Sequence, residues 1–124
     1  TNCLFLPYQD YDVLPWSLTA ADLGVISLSV SAEGLVAPSK LYGHLSAGTP
    51  LAIIAPPHSE LRHMAPNDVG ACFANGDAQG LAEFICKLER VRDLRLAMAK
   101  CARDLCENQF SASYVLDRYK SLLI

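Results

Sequence analysis

Residues 33–50 read Glu33-Gly34-Leu35-Val36-Ala37-Pro38-Ser39-Lys40-Leu41-Tyr42-Gly43-His44-Leu45-Ser46-Ala47-Gly48-Thr49-Pro50. An apolar run, 23–30, precedes this stretch, and a second, 51–55, follows it. The pattern predicts a strand, a polar glycine-bearing loop, a short helix, a turn and another strand. Pro38 suits a first helical position, where its missing N–H costs nothing. Gly48, ahead of Thr49-Pro50, suits a left-handed helix stop. Lys40 then falls in the first helical turn, at the positive end of the dipole, where a cation is mildly unfavourable. An anion held between Lys40 and the helix N–H groups would resolve that conflict. Loops of this kind, at the ends of parallel strands, are where open α/β sheets bind anionic ligands.

Working outward, the remaining chain repeats the alternation. Cys3-Leu4-Phe5-Leu6, stopped by Pro7, reads as a short buried strand. Asp12 is placed to cap a helix carrying Leu14 and Leu18, with Pro15 in its first turn. The run 23–30 shows little polar alternation, which predicts a strand covered on both faces. Ser59 caps a helix through Leu61 and Met64, which ends before Pro66. The run 69–74 is a further strand despite Gly70. Asn75-Gly76-Asp77 makes a turn and a cap for a helix with Leu81, Phe84, Ile85, Leu88 and Val91 inward. Asp93 recaps the next helix, and Ser111 caps the last, which carries Val115, Leu116, Tyr119, Leu122 and Leu123. Four strands alternating with helices predict a single α/β domain over 1–124, a three-layer, Rossmann-like parallel sheet flanked by helices. The first strand would leave a bare edge, a place for homodimer formation.

The chain has 124 residues, 52% hydrophobic and 19% charged, enough apolar content for a core. A net charge of −3 argues against nucleic acid as a partner. No apolar run approaches the roughly 20 residues of a membrane span. The five cysteines, Cys3, Cys72, Cys86, Cys101 and Cys106, form no C-x-x-C pair and have no histidine at ligand spacing. They read as buried free thiols of a reducing compartment, with no metal site.

Taken together, Ala20-Ala21-Asp22, Leu23-Gly24-Val25, Glu33-Gly34, Pro38-Ser39-Lys40-Leu41-Tyr42, Ala47-Gly48-Thr49-Pro50, Pro56-Pro57-His58-Ser59-Glu60 and Gly76-Asp77 resemble the family-4 retaining glycosyltransferases of the GT-B fold. The resemblance runs along essentially the whole chain. It implies the C-terminal, nucleotide-sugar-binding lobe, N-terminally truncated, whose partner is the acceptor-binding lobe of the same protein. It implies transfer of a hexose from a nucleotide-diphosphate sugar to a glycan or lipid-linked acceptor, with no metal or other cofactor. The implied setting is cytoplasmic, at the inner face of a membrane in the parent protein. This chain alone would be inactive, because the reaction takes place between two lobes.

The implied donor-binding residues are Glu33, Gly34, Leu35, Ser39, Lys40 and Tyr42. Glu33 would accept hydrogen bonds from sugar hydroxyls, and main-chain N–H groups from Gly34 to Val36 would reach sugar and phosphate. Ser39 and Lys40 would meet the diphosphate. No residue is assigned a catalytic role. The family carries a second glutamate on the helix; counting on from Glu33 puts Leu41 in its place, counting back from Ala47-Gly48-Thr49-Pro50 puts Gly43 there, and neither is an acid. Two other readings stand beside this one. The first is a nucleotide-sugar 2-epimerase-like enzyme of similar architecture. The second is a non-catalytic, flavodoxin-like binding module. The missing acid favours a degenerate, non-catalytic form of the glycosyltransferase lobe.

Overall fold

A computed structural model describes residues 2–124. Its sheet has three parallel strands in the order β1 (Gly24–Ser27), β2 (Leu51–Ile54) and β3 (Gly70–Phe73). Leu51 stands opposite Gly24 on one side and Gly70 on the other. The helices are α1 (Leu14–Thr19), α2 (Lys40–Ala47), α3 (Glu60–Met64), α4 (Ala78–Arg90), α5 (Arg92–Leu105) and α6 (Ala112–Leu123). A 3₁₀ turn, Val30–Ala32, follows β1, and a π-helical turn, Cys106–Phe110, joins α5 to α6. The fold is therefore α/β, a parallel sheet flanked by helices in a Rossmann-like arrangement.

Local chemistry accounts for most of the element ends. The Ser59 hydroxyl accepts from the Leu61 N–H at 3.3 Å and starts α3. Asp77 accepts from the Gly80 N–H at 2.9 Å and starts α4. Ser111 accepts from the Tyr114 N–H at 3.4 Å and starts α6. Each such cap stabilises its helix by about 1 kcal/mol. Helix α2 stops at Gly48, in the left-handed region with φ +67°. There Thr49 N–H donates to the His44 carbonyl and Gly48 N–H to the Leu45 carbonyl, a Schellman ending.

The core lies between β2 and α2. Leu51, Ala52 and Ile53 of β2 are buried, as are Leu41 and Leu45 of α2. Ile26, Leu61, Val69 and Ala102 close the same cluster. Each fully buried leucine contributes about 1.5–3 kcal/mol. Helix α5 packs against both α2 and α4, and α1 packs against α2. Gly70 is required by the ladder, since a Cβ there would run into the Leu51 carbonyl of the neighbouring strand.

Several expectations are corrected. The segment 3–6 is not a strand: it pairs with nothing, and Phe5 is 93% exposed. Four residues ending in a proline make few ladder bonds, and without them the apolar pattern has no backbone support. The run 23–30 is not covered on both faces. Its residues alternate between buried and exposed, and Val25 is 48% exposed. Asp12 does not cap α1, whose N-cap is Val13 with no side-chain bond, and Asp93 lies inside the first turn of α5 without capping it. Helix α2 begins at Lys40 and not at Pro38, which instead offers its carbonyl to the Leu41 N–H at 3.3 Å. On α4, Leu88 is buried and the Phe84 ring meets Phe73 at 5.7 Å, but Ile85 and Val91 are exposed. On α6 the apolar side stays uncovered, with Leu122 80% exposed. The cysteines are free, but none is fully buried, and Cys3 and Cys86 are exposed. Among the described residues no helix is long and apolar enough to cross a membrane.

Candidate functional site

The loop leaving β1 is wound on itself. Leu28 N–H still bonds the Ile54 carbonyl at 2.8 Å, which carries the strand direction to the edge of the site. Beyond it Ser29 and Ser31 share a hydroxyl contact at 3.1 Å, and Ala32 N–H returns to the Ser29 carbonyl. Gly34 takes φ +74°, a conformation other residues adopt at a cost, and so reverses the chain. Leu35 and Val36 N–H then both donate to the Ala32 carbonyl, at 3.1 and 3.2 Å.

This loop meets the start of α3. Glu33, Gly34, Val36 and Pro38 from the first loop and Ser59, Glu60 and Met64 from the second enclose a cavity of about 170 Å³, floored by Leu28 and Leu61. Parallel strands make this meeting possible, since the loops after β1 and β2 both leave from the carboxyl ends of adjacent strands. Glu33 Oε2 is buried and has no hydrogen-bond partner. Leaving a buried acceptor unsatisfied costs about 1–3 kcal/mol, more for a charged group. No Lys, Arg or His is in the cavity wall.

The predicted residues divide on inspection. Glu33 and Gly34 line the cavity. Leu35 does not; it is 82% exposed, and its N–H, like that of Val36, is already held by Ala32. Ser39 is the exposed N-cap residue of α2, but its side chain makes no capping bond. Lys40 is the first residue of α2, exposed, and outside the cavity wall. The Leu41 and Tyr42 N–H groups donate to the Pro38 and Ser39 carbonyls, which removes two first-turn donors from an incoming anion. Tyr42 faces away from the cavity wall: its ring packs edge-on against Phe110 at 5.3 Å. The residues missed in sequence are Ser59 and Glu60. Their one signal was Pro56-Pro57-His58-Ser59-Glu60 at the end of the next parallel strand, which reads as an ordinary helix start.

Two neighbours of the site are informative. His44 sits one turn beyond Lys40, half-buried, with Nδ1 unpartnered. Burial holds its imidazolium form down, and the Lys40 ammonium adds to the effect, so its pKa lies below the usual 6.5. The ring lies over Gly24 at the start of β1. Gly43, in the position where the resemblance implies a second acid, faces α1: a Cβ there would stand 3.3 Å from Leu18 Cδ1. Glycine at 43 lets the two helices approach. Among the described residues no three His, Cys, Asp or Glu side chains cluster as a metal site.

Fold and site together define an α/β, Rossmann-like domain with a small cavity at the carboxyl ends of two adjacent parallel strands. Set against protein-family models, curated proteins and solved structures, the chain matches none.

Proposed function

We propose that this chain is the donor-binding lobe of a retaining glycosyltransferase that moves a hexose from a nucleotide-diphosphate sugar to a glycan or lipid-linked acceptor. The observation that carries the reading is the unsatisfied Glu33 Oε2 at a cavity formed by the loops after β1 and β2. A buried carboxylate oxygen with no protein donor is completed by a ligand that brings one, and sugar hydroxyls do so. The sequence resemblance supports the same role for Glu33 and Gly34. In this reading the diphosphate attached to the sugar lies outside the cavity and meets Lys40, which is exposed at the start of α2. Its ammonium and the positive end of the α2 dipole would stabilise charge developing on the leaving diphosphate. In this reading Ser39 contributes a hydroxyl to phosphate, and Tyr42 holds α2 against Phe110 instead of touching the donor.

A second reading, a non-catalytic binding module, is favoured by Gly43 lying under Leu18 where an acid would otherwise stand. The first reading expects a nucleotide sugar to bind, and so does the second where the module is a degenerate form of the same lobe. Thermal-shift titration against UDP, GDP, ADP and their sugars tests them together, with Lys40→Ala as control. Ligand at about a hundredfold over its Kd stabilises by about 2.7 kcal/mol. That is a rise of several degrees in Tm for a domain of this size. A shift with one nucleotide, lost in Lys40→Ala, supports the donor site. A full shift retained in Lys40→Ala removes the phosphate role, and no shift with any nucleotide sugar removes the reading. Transfer or hydrolysis of the sugar by the parent enzyme separates the catalytic lobe from the binding module.

A further inference from the structure

The cavity carries two carboxylates, not one. Glu33 reaches it from the loop after β1, and Glu60 from the first position of α3. Ser59, 1% exposed and with its hydroxyl held to the Leu61 N–H, fixes the start of α3, while Glu60 itself is exposed to an incoming group. Neither glutamate takes part in any of the ion pairs or side-chain hydrogen bonds of the described residues. Those pairs are Arg95 with Asp22, Arg103 with Glu107, and Lys120 with Asp117. The rest of the wall is the Ser59 hydroxyl and apolar surface from Leu28, Pro38 and Met64. A group that fills this space must bring hydrogen-bond donors to two acceptors on opposite loops. It must also carry no negative charge and lay apolar C–H faces on the wall. A neutral pyranose meets all three conditions; a phosphate or a uronic acid fails on charge.

We propose that Glu60 joins Glu33 in holding the hydroxyls of the donor sugar and is the residue that selects a neutral hexose over a hexuronic acid. This rests on the donor-site reading above and deepens it. The two acceptors come from loops on adjacent strands, so they grip hydroxyls on different ring carbons and fix the ring's orientation. The carboxylate of a uronic acid would face both glutamates across a small cavity and be repelled.

The test is calorimetric titration of the chain and its Glu33→Gln and Glu60→Gln variants. The ligands are UDP-glucose, UDP-glucuronic acid and UDP, and the matching GDP-mannose, GDP-mannuronic acid and GDP. The expected result is that Glu60→Gln weakens the hexose nucleotide by about tenfold or more, the loss of one hydrogen bond to a charged acceptor. Affinity for the bare nucleotide stays the same, and discrimination against the uronic acid narrows. Glu60 also sits favourably at a helix start, so its loss lowers Tm for structural reasons alone. That effect does not change the ratio of sugar nucleotide to bare nucleotide, which is the quantity read. An unchanged ratio in Glu60→Gln overturns the proposal. If Glu33→Gln changes the ratio while Glu60→Gln does not, only this inference fails. If no nucleotide sugar binds the unmodified chain, the donor-site reading fails with it.

Discussion

The His44 ring lies where a side chain on Gly24 would have to go, and this makes Gly24→Ala a sharp test of how α2 is seated on the sheet. A Cβ at position 24 would stand 2.6 Å from His44 Nδ1, 2.7 Å from Cγ and 2.8 Å from Cε1. Three ring atoms inside van der Waals contact cannot be cleared by moving one flexible end. The ring must swing out or α2 must lift from β1. Overpacking of this kind costs about 1–3 kcal/mol. Removing a glycine from a strand offsets about 0.5–1 kcal/mol of that. The net expectation is a loss of about 1–2 kcal/mol. Urea unfolding followed by circular dichroism reads this directly: with a slope of about 1.5 kcal/mol per molar, the midpoint falls by about 1 M. The partner variant His44→Ala opens the space, and in that background the added methyl fills a void instead of clashing. The double variant Gly24→Ala/His44→Ala should therefore lose less than the two single losses combined, by about 1 kcal/mol or more. Losses that add to within about 0.5 kcal/mol would refute the contact and, with it, the seating of α2 on β1.

Two further predictions follow from the surroundings of the site. Because burial, with Lys40 second, depresses the folded-state pKa of His44, the unfolded chain binds the proton more readily. The native state therefore keeps its full advantage above the unfolded value near 6.5 and loses stability as pH falls through and below it. Unfolding midpoints taken from about pH 8 to about pH 5 should decline in the parent and decline less in His44→Gln; parallel curves would argue against this. Arg62 donates to the Ala55 carbonyl through Nε at 3.0 Å and Nη2 at 2.7 Å, holding the exit of β2 beside the cavity. Arg62→Ala should cost about 1.5–3 kcal/mol by denaturant titration, and Arg62→Lys should recover only part of it, since an ammonium lacks the planar fork.

What the sequence made legible was the chemistry that residues perform on their own neighbours. Ser59, Asp77, Ser111 and Gly48 were readable as helix punctuation because a cap bond or a left-handed turn needs nothing from the rest of the chain. Burial was less readable. Val25, Ile85 and the apolar side of α6 have the composition of covered surface, yet covering depends on another element arriving, and none does. The segment 3–6 failed for the same reason, since a strand exists only where a neighbour offers a ladder. The site divided along this line as well. Glu33 and Gly34, singled out by the resemblance, lie in the loop that the strand-loop-helix pattern predicts, and they line the cavity. Glu60 was not, because it joins Glu33 through the pairing of β1 with β2, across an intervening helix. The contact of Tyr42 with Phe110 was not legible, because Phe110 lies far along the chain on the π-helical turn.

The sheet's order has a consequence for how the molecule breathes. Strand β2 is bonded on both sides, with Gly24 N–H on the Pro50 carbonyl, Leu51 N–H on the Val69 carbonyl and Ala55 N–H on the Phe73 carbonyl. Its amides alternate between the two neighbours, so the whole strand is released to solvent only when both flanking strands part from it. Strand β1 alternates, so the Val25 and Ser27 amides face the free edge. Helix α6, with its apolar side uncovered and none of its residues buried, has little tertiary packing holding it in place. Amide hydrogen exchange should therefore grade the molecule from the C-terminus inward. Helix α6 would lose protection within the first exchange times. The outer amides of β1, which have no ladder partner, would exchange at least as early, and Ala52 and Ile53 would stay protected longest.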